Sequence, residues 1–191
     1  MNKKEKILKA ASTVVKRFGF VKTTLDDIAR ECGMKNTALY YYFKSKEEIM
    51  NGMFEYDMKQ IRESIKKAVE KQNTPKEKIR AFIQEKLRLL KTKRRYFNLI
   101  IKENISLKLK QFALEEKNKF DRFEKELLTG IISEGIKSNL FANHPIDSVI
   151  CTISGTTWGI SYFILQNEQE TNINKIVNDL VNIIFKGLEK R

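Results

Sequence analysis

The stretch Thr23-Thr24-Leu25-Asp26-Asp27-Ile28-Ala29-Arg30-Glu31-Cys32-Gly33-Met34-Lys35-Asn36-Thr37-Ala38-Leu39-Tyr40-Tyr41-Tyr42-Phe43-Lys44-Ser45-Lys46-Glu47-Glu48-Ile49 leaves the chain little freedom. Thr24 stands where an N-cap belongs, and Asp27 three residues on completes a capping box. Leu25, Ile28, Ala29 and Cys32 recur at helical spacing. Gly33 ends that helix, because glycine adopts the left-handed cap at little steric cost. After a few residues of turn, Leu39 and Phe43 share one face of a short second helix, and Tyr40, Tyr41 and Tyr42 spread over its other faces. Ser45-Lys46-Glu47-Glu48 is a further capping box and opens a third helix. A helix, a glycine turn and a short polar-aromatic helix describe a helix-turn-helix.

At these residues the chain resembles the TetR family of bacterial transcription regulators. The resemblance covers Phe18-Gly19, Thr23-Thr24, Asp27-Ile28-Ala29, Gly33, Leu39-Tyr40, Tyr42-Phe43 and Ser45-Lys46-Glu47. It implies an all-α fold of nine helices. Residues 1–46 would form a three-helix DNA-binding domain, and residues 47–191 a ligand-binding and dimerisation domain. Two positions depart from the family pattern. The family usually carries a small hydroxyl residue at Lys35 and a glycine at Thr37. Lysine cannot cap a helix, so Asn36 is expected to cap, with the helix start shifted by one residue.

Charge supports the same partner. The formal net charge is +13, from 37 basic and 24 acidic residues. Residues 1–46 hold eleven Lys/Arg against four Asp/Glu. Their positive charge density is about fourfold that of the rest, the footprint of a double-stranded DNA partner. A solubilising lysine surface is the plainer explanation for charge alone. With the motif present, DNA dominates.

Helical patterning continues along the chain. Residues 4–18 form the first helix, and Ile7, Ala11, Val14, Phe18, Leu25, Ile28, Leu39, Phe43 and Ile49 are the expected N-terminal core. Helix four runs from Ser45 to about Lys71. Thr74-Pro75-Lys76-Glu77 starts helix five, with Ile79, Phe82, Ile83, Leu87 and Leu90 inward. A short helix is expected over 96–104 and a long one over 106–137. Two more are expected, from Asn143-His144-Pro145 to about Asn167 and from Thr171 or Asn172 onward. The basic cluster Lys91, Lys93, Arg94 and Arg95 reads as a solvated loop, with a second DNA or anion contact as the alternative.

Residues 148–167 carry no charge, but Ser148, Thr152, Ser154, Thr156, Thr157, Ser161 and Gln166 make a membrane span untenable, and a buried helix is expected there. Lys3, Lys4, Lys6 and Lys9 precede no apolar core of a signal peptide, so a cytoplasmic protein is expected. Cys32 and Cys151 both sit on apolar helical patterns and read as buried reduced thiols. One histidine, His144, and two distant cysteines build no zinc site and no histidine-based triad, so neither metal, cofactor nor enzymatic activity is expected.

Asn36, Thr37, Ala38 and Tyr40 open the recognition helix and should meet base edges. The resemblance implies phosphate contacts from Tyr41, Tyr42 and Lys46, with help from Thr24. It also implies a small-molecule pocket among the later helices. Phe97, Ile101, Phe112, Phe123, Trp158 and Tyr162 are its expected lining, although ordinary core accounts for such residues as well. No buried charge is evident there, so the effector is expected to be apolar or amphipathic. Gly155-Thr156-Thr157-Trp158-Gly159 allows close backbone approach, either within the chain or across a homodimer seam. The family builds that seam from its last two helices, which places Gly155, Gly159, Ile176, Leu180 and Ile184 in it. The combined reading is a ligand-responsive, sequence-specific repressor released from a palindromic operator by a small molecule. Activation stays open, as does a helical module that touches nucleic acid only non-specifically.

Overall fold

The computed structural model describes residues 2–92, 106–166 and 172–188. These residues form an all-α fold. Its helices are α1 (Lys3–Phe18), α2 (Leu25–Cys32), α3 (Asn36–Leu39), α4 (Lys46–Glu70), α5 (Pro75–Thr92), α6 (Leu107–Lys137), α7 (Ile146–Gln166) and α8 (Ile173–Leu188). Eight helices therefore lie among the described residues where nine are expected. The missing one, expected over 96–104, falls outside them, and so does most of the basic cluster 91–95. The chain divides into two compact units, Met1–Gln60 with Arg94–Lys119, and Ile61–Lys93 with Phe120–Arg191.

In the first unit each helix start is set by side-chain chemistry. Asn2 accepts from the Glu5 amide at 2.8 Å while the Glu5 carboxylate accepts from the Asn2 amide at 3.1 Å, so α1 begins in a reciprocal cap. Gly19 then turns the chain at φ 86°, and this decides which aromatic ring enters the core. Phe20 is buried and stacks on Phe54 with ring centroids 5.2 Å apart, whereas Phe18, expected inside, is 47% exposed. Ile7, Ala11, Val14, Val15, Ile28, Leu39 and Ile49 fill the remaining core. Leu109, from the start of α6, is buried in the same cluster, with Phe112 packed against it. A buried hydrogen bond of 2.9 Å from Ser12 Oγ to Asp57 Oδ2 ties α1 to α4.

The second unit is built on α5, which packs against α7 and α8. Ile79, Phe82, Ile83 and Leu87 are fully buried, as their spacing on one helical face requires. The capping box at its start is present, with Thr74 Oγ1 accepting from the Glu77 amide and the Glu77 carboxylate accepting from the Thr74 amide. Asn172 caps α8 by accepting from the Lys175 amide at 3.1 Å. Phe141, beyond the end of α6, stacks on Phe185 of α8 with centroids 5.8 Å apart. No described helix is long and apolar enough to cross a membrane.

Candidate nucleic-acid interface and effector unit

The helix-turn-helix is assembled from local bonds. Thr24 Oγ1 accepts from the Asp27 amide at 3.1 Å, and Asp27 Oδ2 accepts from both the Thr24 amide and the Thr24 hydroxyl, at 3.0 and 2.6 Å. Those bonds from Thr24 hold the Asp27 carboxyl below the usual aspartate range. They also engage both donors of Thr24 within the cap. Gly33 closes α2 in the left-handed conformation, φ 65° and ψ 40°, and the Met34 amide returns to the Ala29 carbonyl at 2.9 Å.

The recognition helix α3 spans four residues. Its N-cap position is Lys35, with no side-chain cap, and Asn36 is the first helical residue. The expected shift of the cap to Asn36 is therefore wrong. The turn is held in register without a cap, because the Ala38 amide bonds the Lys35 carbonyl at 2.9 Å and Leu39 and Phe43 are buried beneath it. The amides of Tyr42 and Phe43 both reach the Leu39 carbonyl, at 2.9 and 3.0 Å. This pinning turns the tyrosines outward: Tyr41 is 90% exposed and Tyr40 55% exposed. Tyr42 is half-buried against the core. Thr37 is exposed, Asn36 and Ala38 are half-buried, and Asn36 Oδ1 lacks a hydrogen-bond partner among the described residues. Lys46 Nζ donates to the Val21 carbonyl at 3.4 Å. Lys22, Lys35 and Lys44 are exposed on the same small domain.

In the second unit the expected pocket residues take different places. Phe97 and Ile101 lie outside the described residues. Phe123 is half-buried with its ring 6.0 Å from that of Phe120. Trp158 and Tyr162 stack on each other at 5.9 Å and are 62% and 53% exposed. The phase of α7 explains this, since it directs Ile153, Thr157 and Ile164 inward and leaves residues one step further round the helix outside. The same outer face carries Gly155 and Gly159, and a Cβ at either would meet no atom within 4 Å. Cys151 is exposed there too, against the expectation of burial. Cys32 is buried, which pushes its thiol pKa up. On α8, Leu180 and Ile184 are buried in their own unit, Ile176 is half-buried, and Ile183 is exposed.

Charge also enters the interior, contrary to the expectation of none. Lys86 of α5 lies 2.5 Å from Glu124 of α6, and their side chains are only 15% and 7% exposed. Thr157 Oγ1 of α7 is 3.5 Å from the same ammonium. In the first unit Glu116, also buried, pairs with Lys119 at 2.5 Å. The signal was present in the spacing. Lys86 stands seven residues from Ile79 and four from Phe82, and Glu124 four from Phe120 and Leu128. Both charges therefore interrupt an apolar stripe, where a buried polar residue is the informative exception.

Comparison with known proteins adds four likenesses. Residues 7–53 match the family model for bacterial regulatory proteins, tetR family. The chain is 26% identical over 193 residues to a fatty acid metabolism regulator protein of Bacillus subtilis (strain 168), covering 97% of this chain and 95% of the relative. It is 46% identical over 46 residues to the biofilm operon icaADBC HTH-type negative transcriptional regulator IcaR of Staphylococcus aureus (strain Newman), covering 24% of this chain and 25% of that one. Among solved structures, the transcriptional regulator FadR from Bacillus subtilis in complex with stearoyl-CoA matches at TM-score 0.72. That match has 24% identity and covers 95% of this chain and 97% of that one.

Proposed function

We propose that this chain, whose residues 7–53 match the model of the tetR family of bacterial regulatory proteins, is a cytoplasmic repressor of that kind whose operator is released by a long-chain acyl effector. The observation that carries the DNA-binding half is the pinned α3. Its buried Leu39 and Phe43 hold Asn36, Thr37, Ala38 and Tyr40 toward base edges in the major groove. Tyr41, Tyr42 and Lys46 hold phosphates, which fix register without reading sequence. Thr24 joins them only if a phosphate displaces Asp27 from its donors.

Two copies bind a palindromic operator through a seam on the uncharged outer face of α7. Trp158, Tyr162 and Phe163 are too apolar to leave in water, and Gly155 and Gly159 let a partner backbone approach closely. Ile183 and Ile176 extend this seam on α8, with Leu180 and Ile184 adding only their outer edges. Trp158 and Tyr162 thus serve assembly, while Phe123 remains a candidate effector contact in the second unit. The likeness to a fatty acid regulator supports an amphipathic acyl effector.

Release is a coupling between two sites. The effector favours a conformation in which α4 no longer holds the two recognition helices in register. Coupling of roughly 1–3 kcal/mol changes operator affinity about 5–150-fold. The test is a titration of operator-bound protein with stearoyl-CoA, followed by fluorescence anisotropy of the DNA. Operator affinity should fall, and operator should weaken stearoyl-CoA binding by the same factor. Equal acyl-CoA affinities with and without operator would sink the proposal.

A further inference from the structure

We propose that Lys86 is the anchor for the negatively charged head group of the effector, and that Glu124 is the counter-ion this head group displaces. The inference rests on the acyl-effector reading above and names the chemistry of that site. Three helices of the second unit meet at the Lys86 ammonium. It lies 2.5 Å from Glu124 Oε1 of α6 and 3.5 Å from Thr157 Oγ1 of α7, on the inner face of α5. The Thr157 hydroxyl proton is spent on its own helix, on the Ile153 carbonyl at 2.7 Å or that of Ser154 at 3.0 Å. Its oxygen therefore meets Lys86 as an acceptor. A lysine carries three donors. Among the described residues these two oxygens are the hydrogen-bond partners of Lys86, and the rings of Phe82 and Phe120 flank the ammonium at 5.7 Å each.

Stability alone is a poor reason for such a pair, because an apolar replacement of a buried ion pair is often neutral or stabilising. The surroundings suit a ligand with two characters. Phe82, Phe120 and Phe123 offer an apolar wall for a hydrocarbon chain, and the ammonium offers a fixed cation for the acidic end. Glu124 keeps the cation neutralised in the ligand-free chain. An arriving anion takes its place against Lys86, so affinity is set by competition between two acids for one ammonium. A neutral lipid of the same chain length gains nothing from the exchange. Both a fatty-acid carboxylate and the phosphates of an acyl-CoA supply the required anion.

Isothermal titration of the full chain with dodecanoate, lauroyl-CoA and dodecan-1-ol separates the cases. The wild type should prefer an anionic probe to the alcohol, and the preferred anion identifies the source of the head group. Lys86→Met should raise the dissociation constant of that anion by roughly tenfold to a hundredfold, the usual worth of a hydrogen bond to a charged group. It should leave dodecan-1-ol binding unchanged, which also shows that the variant is folded. Glu124→Gln should move the anion the other way and tighten it. A Lys86→Met protein that keeps its preference overturns the assignment. So does a Glu124→Gln protein that loses affinity for the anion, since a purely structural pair would weaken from either side. If Lys86→Met fails to fold, the direction of the Glu124→Gln shift decides. A wild type that binds all three probes alike refutes the anchor and leaves the acyl effector standing. One that binds none refutes both.

Discussion

Replacing Gly135 by alanine should destabilise the protein, although alanine is the better helix former. Gly135 lies in α6, and a Cβ there would stand 2.2, 2.4 and 2.8 Å from the Cδ2, Cε2 and Cγ atoms of Phe141. Carbon atoms in ordinary contact stay about 3.5–4.0 Å apart, so the ring must retreat by about 1.3–1.8 Å. It has little room to do so. Phe141 is buried, stacks on Phe185, and is held from behind by its own amide, which bonds the Gly135 carbonyl at 3.0 Å. Overpacking of this kind costs about 1–3 kcal/mol, and loosening the aromatic pair about 0.5–1.5 kcal/mol more. Helix propensity returns about 0.8–1.0 kcal/mol. The net loss is about 1–3 kcal/mol, a fall of several degrees in melting temperature for a chain of this length. Gly130, five residues earlier on α6, has no atom within 4 Å of an added Cβ. Gly130→Ala should therefore stabilise, by about 0.5–1 kcal/mol. Thermal unfolding of the two variants beside wild type, at one fixed protein concentration, reads both signs. Gly135→Ala unfolding at or above the wild-type temperature would refute the packing described at the end of α6.

Lys46→Ala should weaken binding to all DNA similarly and lower the salt slope by about one, whereas Tyr40→Ala should erode the preference for operator over bulk DNA; competition binding at several salt concentrations checks both. Asp27→Asn should narrow the pH range over which stability changes. The folded pKa of Asp27 is depressed, so its contribution is complete above the unfolded value and fades as pH falls through the folded one. The stability difference between wild type and Asp27→Asn should thus be largest near neutrality and shrink in acid, which denaturant titrations at several pH values measure.

Local chemistry made most of the fold legible. Thr24 with Asp27, Gly33, and Thr74 with Glu77 mark helix ends that the structure reproduces, because capping bonds span three residues and depend on nothing distant. The misplacements share another cause. Helix α7 carries no charge from 148 to 166, so its sequence has no polar face to fix which side turns inward. Cys151 was placed inside for that reason, and it is exposed. Phe18 was misassigned because helical phase runs out at its own position, and the Gly19 turn delivers Phe20 instead. Lys86 and Glu124 were readable from phase alone. Their partnership was not, since 38 residues separate them and only the packing of α5 against neighbouring helices brings them together.

A recognition helix of four residues has a consequence for how this regulator can change its target. One turn of helix has no stability of its own in water. Its shape is borrowed from Leu39 and Phe43 below it, and the side chains that face outward contribute almost nothing to holding it. The vocabulary of the DNA reader and the grammar of the fold therefore occupy different positions of the same short segment. On the reading proposed above, the exposed Thr37 and Tyr40 can be rewritten for a new operator while the module folds as before. A change at Leu39 or Phe43 would instead garble every operator at once.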